Sequence, residues 1–161
     1  MKQLWAPWRA KFILGPKSEG CIFCDEPKEN RDKENFIVYR GRNAFIMLNI
    51  FPYNNGHLMI SPYRHVTNVE DLDANECTEL FDLVKKSVTA LKTSMKPSGF
   101  NIGINVGRAS GAGFEHLHIQ VVPRWIGDTN YMPVLAEVKV ISEHLEETYE
   151  KLLKSFSALR S

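Results

Sequence analysis

Within the run Glu115-His116-Leu117-His118-Ile119-Gln120-Val121-Val122-Pro123-Arg124, polar and apolar residues alternate with a period of two from His116 to Val121. That period belongs to a β-strand, whose successive side chains point to opposite faces. Leu117, Ile119 and Val121 then make a buried face, and His116, His118 and Gln120 stand in a row on the other, about 7 Å apart. Shorter apolar runs predict four further strands. Residues 36–39 and 44–49 are separated by the turn residues Gly41-Arg42-Asn43. Residues 57–61 follow the turn Pro52-Tyr53-Asn54-Asn55-Gly56 and are closed by Pro62. In residues 100–106, Ile102, Ile104 and Val106 alternate with Asn101, Gly103 and Asn105.

The period changes twice. Cys77, Leu80, Phe81, Val84, Val88, Leu91 and Met95 step by threes and fours, apart from the adjacent Leu80-Phe81 pair, behind Asp73 and Glu76, which form a variant capping box. This is the long helix, ending before Pro97, with Cys77 a small residue on its apolar face. Leu145, Tyr149, Leu152, Leu153 and Phe156 predict a C-terminal helix within residues 142–160. Strands on both sides of one long helix, joined by hairpin turns, predict an α+β fold with an antiparallel sheet of about five strands. Length fits a single domain over residues 1–161, with residues 1–20 as an arm that packs its tryptophans, Trp5 and Trp8, on the domain or on a second subunit.

Composition narrows the function classes. An apolar fraction of 43% with 24% charged residues is that of an ordinary soluble protein, and a net charge of +1 offers no field for nucleic acid or an anionic membrane. Any bound anion must be held by local donors. The N-terminus lacks the apolar core of a signal peptide, no run approaches a membrane span, and the cysteines number three. Together these predict a cytoplasmic protein with reduced thiols.

Three groups of residues carry chemistry. Cys21-Ile22-Phe23-Cys24 lacks the βαβ context of a redox pair, so it predicts a metal site. Two sulfurs with two imidazoles would suit zinc, and His57, His65, His116 and His118 are the candidates to complete the set. Residues 107–113, Gly-Arg-Ala-Ser-Gly-Ala-Gly, lack a P-loop ending, but small residues allow close backbone approach and an anion-binding nest. His118 is placed to act as a nucleophile on phosphorus, with Gln120 and loop amides as donors to the phosphoryl oxygens. A Ser-His-Asp hydrolase is disfavoured because no Gly-x-Ser-x-Gly elbow is present.

The run His116-Leu117-His118-Ile119-Gln120-Val121-Val122 resembles the signature of the histidine-triad (HIT) superfamily, His-φ-His-φ-His-φ-φ with φ apolar. The likeness extends through Leu4-Trp5-Ala6-Pro7-Trp8-Arg9, the Cys21/Cys24 pair, Asn54-Asn55-Gly56-His57-Leu58, Pro62-Tyr63-Arg64-His65-Val66 and Pro123-Arg124-Trp125. It implies a HIT-like α+β domain, a homodimer, and attack by His118 on the α-phosphate of a nucleotide to give a covalent nucleotidyl-histidine. Gln120 at the third position is similar to the branch that holds galactose-1-phosphate uridylyltransferase and the dinucleoside tetraphosphate phosphorylases. There the nucleotidyl group passes to a phosphate acceptor rather than to water.

The resemblance also implies roles for particular residues. One structural zinc per chain would be held by Cys21, Cys24, His65 and His116. Asn49, His57, Asn105, Ser110, Gly111, Gly113 and Trp125 would contact the nucleotide, an adenine dinucleotide by preference. The implied activity is that of a diadenosine tetraphosphate phosphorylase. Its alternatives are a HIT-type dinucleoside polyphosphate hydrolase and, in another class, a nucleotide-binding interaction protein with weak catalysis.

Overall fold

The computed structural model describes residues 20–128 and 141–159. Five strands, β1 (Ile37–Arg40), β2 (Ala44–Leu48), β3 (Leu58–Pro62), β4 (Gly99–Ile104) and β5 (Ile119–Arg124), form one antiparallel sheet in the order β1-β2-β3-β5-β4. Around it lie the short α1 (Ile22–Asp25), the long α2 (Ala74–Met95) and α3 (Leu145–Ala158). This is the predicted α+β architecture. Of the predicted arm only Gly20 is described, and Trp5 and Trp8 lie outside the described residues, as do 129–133 of the loop after β5.

The sheet has two covered faces. On one, Ile46, Leu48, Leu58, Ile60, Ile119 and Val121 pack with Leu80, Leu83, Val84 and Leu91 of α2 and with Tyr149, Leu152 and Phe156 of α3. On the other, Ile37, Phe45, Met47 and Met59 pack with Phe23 of α1. Every residue of β2 and β3 is therefore buried, whichever way it points. The turn before β3 is as tight as Asn55-Gly56 predicts. Gly56 has φ of +74°, and a Cβ there would come within 2.7 Å of the Met95 sulfur, so only glycine fits.

The predicted capping box of α2 is present. Asp73 Oδ1 accepts the Glu76 N–H at 2.9 Å and Glu76 Oε2 accepts the Asp73 N–H at 3.0 Å. The helix ends at Met95, with Lys96 in the left-handed region before Pro97. Two of its expected core residues face solvent instead: Cys77 is exposed and Phe81 is 69% exposed. They share one side of the helix, four residues apart, and the inward stripe runs through Leu80, Leu83, Ser87, Ala90 and Leu91.

Strand boundaries also shift. β4 stops at Ile104, short of Val106, and lies at the sheet edge, with Phe100 at its start still packed against the helix-covered core. Ile102 and Ile104 are on the core side by register with Val121 and Ile119, yet both are exposed. β5 begins only at Ile119. His116, Leu117 and His118 precede it, and the Leu117 N–H donates to the Val66 carbonyl at 2.6 Å, outside the ladder. Side chains still alternate: Leu117 enters the helix-covered core and both histidines point away from it. The histidine face is not open, however. His116 and His118 are buried beneath α1.

Candidate active site and metal centre

Cys21 caps the N-terminus of α1, and the single turn behind it places Cys24 beside it. The Cys21 sulfur lies 3.2 Å from His116 Nδ1, and the Cys24 sulfur 3.3 Å from His65 Nδ1 and 3.4 Å from His116 Nδ1. One donor atom from each of the four residues falls within 4.8 Å of all the others. A zinc tetrahedron with ordinary sulfur and nitrogen bond lengths has edges of about 3.3–3.8 Å, so the set is nearly closed to that size. His116 Nε2 lies 3.1 Å from the Pro62 carbonyl, which can only accept; the proton is therefore on Nε2 and Nδ1 presents its lone pair to the cluster. Burial pushes the His116 imidazole down to about 4 and pushes the Cys24 thiol up, with Cys21 adding to the latter. Neutral imidazoles and paired thiols are the donor chemistry that a soft divalent metal takes. His57 and His118 stand outside this group, and His144 is at the exposed N-terminus of α3.

His118 is oriented by the opposite tautomer. Its Nδ1 donates to the His116 carbonyl at 2.9 Å, leaving Nε2 with a free lone pair. Burial lowers its pKa, against the raising effect of that hydrogen bond, so the ring is neutral at physiological pH. A buried, neutral imidazole with one nitrogen anchored and the other free has the arrangement that nucleophilic catalysis by histidine requires. Phe23 stacks on it at 4.8 Å and 23°, and also meets His116 at 5.3 Å. Phe23 is a site residue that the sequence reading passed over; its signal was an apolar residue held inside the Cys-x-x-Cys turn.

Gln120 lies on the same face, opposite Met59 in β3 and Gly103 in β4. A Cβ on Gly103 would meet nothing within 4 Å, so the approach to Gln120 from β4 is open. His57 is fully buried beside this row, under the ring of Tyr53 at 4.9 Å. Its Nδ1 faces the Tyr53 N–H at 3.2 Å and the Asn49 amide nitrogen at 3.4 Å, while the Asn49 oxygen accepts the Phe51 N–H at 2.8 Å. Asn49 and His57 are thus coupled to each other.

The glycine-rich segment is wound more tightly than an open nest. Gly107 and Gly111 both have positive φ and bracket a 3-10 turn, Arg108–Ser110. The Ser110 and Gly111 amides donate back to Gly107 and Arg108, and the Ser110 hydroxyl bonds the Val106 and Gly107 carbonyls. The Asn105 amide lies 3.9 Å from where a Gly111 Cβ would be, which brings those two predicted residues together. Gly113 has open space around it. Trp125 is half-buried at the end of β5, its backbone N–H donating to Asp128, which in turn holds Arg124 and Asn54.

Comparison with known proteins places this arrangement in context. Residues 30–125 match the model of the HIT domain. The AP-4-A phosphorylase of Mycobacterium tuberculosis is 37% identical over 158 residues, covering 92% of this chain and 80% of that protein. Among solved structures, a zinc-bound histidine triad family protein from Mycobacterium smegmatis superposes with a TM-score of 0.72 at 24% identity, covering 89% of this chain and 98% of that one. A protein from Sulfolobus tokodaii described as a hypothetical histidine triad nucleotide-binding protein does so with a TM-score of 0.68 at 28% identity, covering 87% and 94%.

Proposed function

This chain belongs to the HIT family, and from that premise we propose that it is a nucleotidyl-transferring enzyme working as a dinucleoside tetraphosphate phosphorylase. The observation that carries the reading is His118: a buried neutral ring, anchored through Nδ1–H to the His116 carbonyl and free at Nε2. Nε2 attacks the α-phosphorus of the dinucleotide. A P–N bond forms, the P–O bond to the rest of the polyphosphate breaks, and that weakly basic group departs without a strong general acid. An oxygen of inorganic phosphate then attacks the same phosphorus, the P–N bond breaks, and the nucleoside diphosphate leaves. Gln120 donates to the phosphoryl oxygens in both steps and does not titrate, which suits an acceptor that is itself an anion. Similarity to a protein named AP-4-A phosphorylase supports phosphate as the acceptor and adenine as the base.

Cys21, Cys24, His65 and His116 would hold one zinc per chain, which would neutralise the thiolates and tie α1 to the sheet. With four protein ligands the metal has no open position for water, so its part is structural. Asn49, Asn105, Ser110, Gly111, Gly113 and Trp125 border the nucleotide. A second copy of the chain covers the exposed Ile102 and Ile104 on edge strand β4, giving a homodimer. Reduced thiols in the metal site fit the cytoplasm, and among the described residues no helix is long and apolar enough to cross a membrane.

Turnover of diadenosine tetraphosphate with and without phosphate tests the reading. ADP and ATP formed only with phosphate is the expected result. AMP and ATP formed without it means hydrolysis, and binding without a nucleotidyl-His118 means a nucleotide-binding protein.

A further inference from the structure

His57 has a feature that nucleotide contact alone does not explain. The ring is fully buried. Its Nδ1 accepts the Tyr53 backbone N–H, which is always a donor, so the ring proton resides on Nε2. Nε2 is sealed from solvent and lies outside hydrogen-bond geometry with any neighbour among the described residues. Burial, with His118 nearby, pushes the ring down to about 4, so it does not take a second proton near neutrality. The result is a neutral donor of one fixed tautomer, with a buried N–H that has no partner within hydrogen-bond distance among the described residues. A native fold seldom leaves such a donor unused.

Gln120 is a side chain near this ring whose amide acts to raise the ring's pKa, against the larger effect of burial. Its register places it opposite Met59, two residues beyond His57 on the neighbouring strand. Its last torsion is broad in energy, so the amide oxygen is free to turn toward Nε2–H. The amide has two faces of opposite character. If its nitrogen faced His57, two donors would meet, and the oxygen would be turned on an anionic phosphoryl group. If its oxygen faces His57, both contacts are attractive.

We propose that His57 is a positioning residue for Gln120: Nε2–H donates to the Gln120 oxygen and so turns the amide nitrogen toward the phosphoryl group that His118 attacks. The inference rests on the nucleotidyl-transfer reading above. It also separates two roles within one imidazole, Nδ1 closing the turn before β3 and Nε2 setting the amide.

Those roles can be separated by substitution. In His57→Asn the shorter amide can keep an acceptor near Nδ1 for the Tyr53 N–H but loses the donor. In His57→Gln the longer amide carries a donor near Nε2. With diadenosine tetraphosphate and phosphate, His57→Asn is expected to lower kcat about 100-fold, the scale of one lost donor to a developing charge, with KM changed no more than about threefold. His57→Gln is expected to recover most of that loss. In a Gln120→Ala background, His57→Asn should cost nothing further, because the residue acts only through Gln120. Full activity in His57→Asn, or losses that multiply in the double variant, overturns the proposal. A second readout is independent of turnover. In 15N-histidine NMR spectra His57 should be the Nε2–H tautomer, and Gln120→Ala should shift that nitrogen. A proton on Nδ1, or no shift, overturns the proposal. A wild type that forms no nucleotidyl-His118 overturns the enzyme reading instead, and the spectra still decide the hydrogen bond.

Discussion

The two faces of the sheet are built on different principles. The helix-covered face is a broad apolar layer in which Leu48, Leu58, Ile60, Leu80, Leu91, Leu152 and Phe156 exclude water from each other. Its stability is spread over many side chains, so no one of them is indispensable. The other face has a small cluster centred on Phe23, bordered by a set of polar groups with assigned tautomers: His116 on Pro62, His118 on the His116 carbonyl, and His57 on the Tyr53 amide. There each group is held by one or two directed contacts, and chemistry is possible because rings are anchored at one nitrogen and free at the other. A fold of this kind separates the part that must be stable from the part that must be reactive.

The sharpest way to break that division is His118→Ala. It should reduce turnover by about 10⁴-fold or more, as loss of a nucleophile does, while the melting temperature and the metal content stay as they were. Retained turnover at the wild-type rate would remove His118 from the mechanism. Next comes the metal cluster, where the reactive face depends on its own fixed point. Cys21→Ser should abolish binding of about one equivalent of zinc and destabilise the protein by about 4 kcal/mol, with activity falling because α1 and Phe23 no longer clamp His118. Metal analysis and chemical denaturation read both effects. A wild type that folds fully without zinc would show that the Phe23 cluster stands alone.

Leu91→Ala is the counterpart on the helix side. Leu91 is fully buried between α2 and the sheet, so the cavity should cost about 3 kcal/mol. Well below the melting point, kcat should stay within about twofold of wild type. A large fall in kcat with intact folding would mean that the faces are coupled through the core.

A pH series distinguishes the faces next, because the histidines of interest lie on only one of them. His57 has its folded pKa near 4 against an ordinary value of 6.5. Below pH 6.5 the unfolded chain takes up a proton that the folded chain refuses, so stability is lost as pH falls from about 6.5 to about 4 and changes no further below that. The loss from this residue is up to about 3 kcal/mol. Measured as the difference between wild type and His57→Gln, the wild type should weaken relative to the variant over that window. Parallel curves would mean that His57 is not held neutral.

How much of each face was legible follows the same line. Hydrophobic period found the five strands, the helices α2 and α3 and the inward set Leu117, Ile119 and Val121, and residue type found the Asp73–Glu76 capping box, whereas the short α1 was not foreseen. All of these are local properties of a few consecutive residues. The same reasoning misplaced Cys77 and Phe81, because a step of three or four residues defines a stripe without saying which edge of it the sheet will cover. It also could not see that edge position leaves Ile102 and Ile104 bare. On the reactive face, spacing singled out His118 and the cysteine pair but left four histidines open for the metal. Only tertiary structure brings His65 and His116 to the sulfurs and keeps His57 away. The stacking of Phe23 and the tautomer of each ring depend on carbonyls and amides from distant segments, for which a sequence has no local sign.

The smallest expected effect tests the connection between the faces. Glu76 belongs to the capping box of α2, a feature of the stable side, yet its carboxylate also receives two bonds from Arg64, at 3.0 and 2.6 Å. Arg64 precedes His65, whose ring approaches the Cys24 sulfur. Arg64 holds the Glu76 carboxyl below the usual range, so the pair is ionised throughout the working pH range. The guanidinium is half exposed, and solvent screens much of the attraction. Glu76→Gln keeps the size of the side chain and an acceptor for the cap but loses the charge. It should cost about 1 kcal/mol, the scale of a helix cap or a partly screened pair. If the two faces are joined here, the variant should also release zinc faster to a chelator, because His65 is then held less firmly. Unchanged release with the same loss of stability would show that Arg64 serves the helix alone, and that the metal site is anchored entirely from its own side of the sheet.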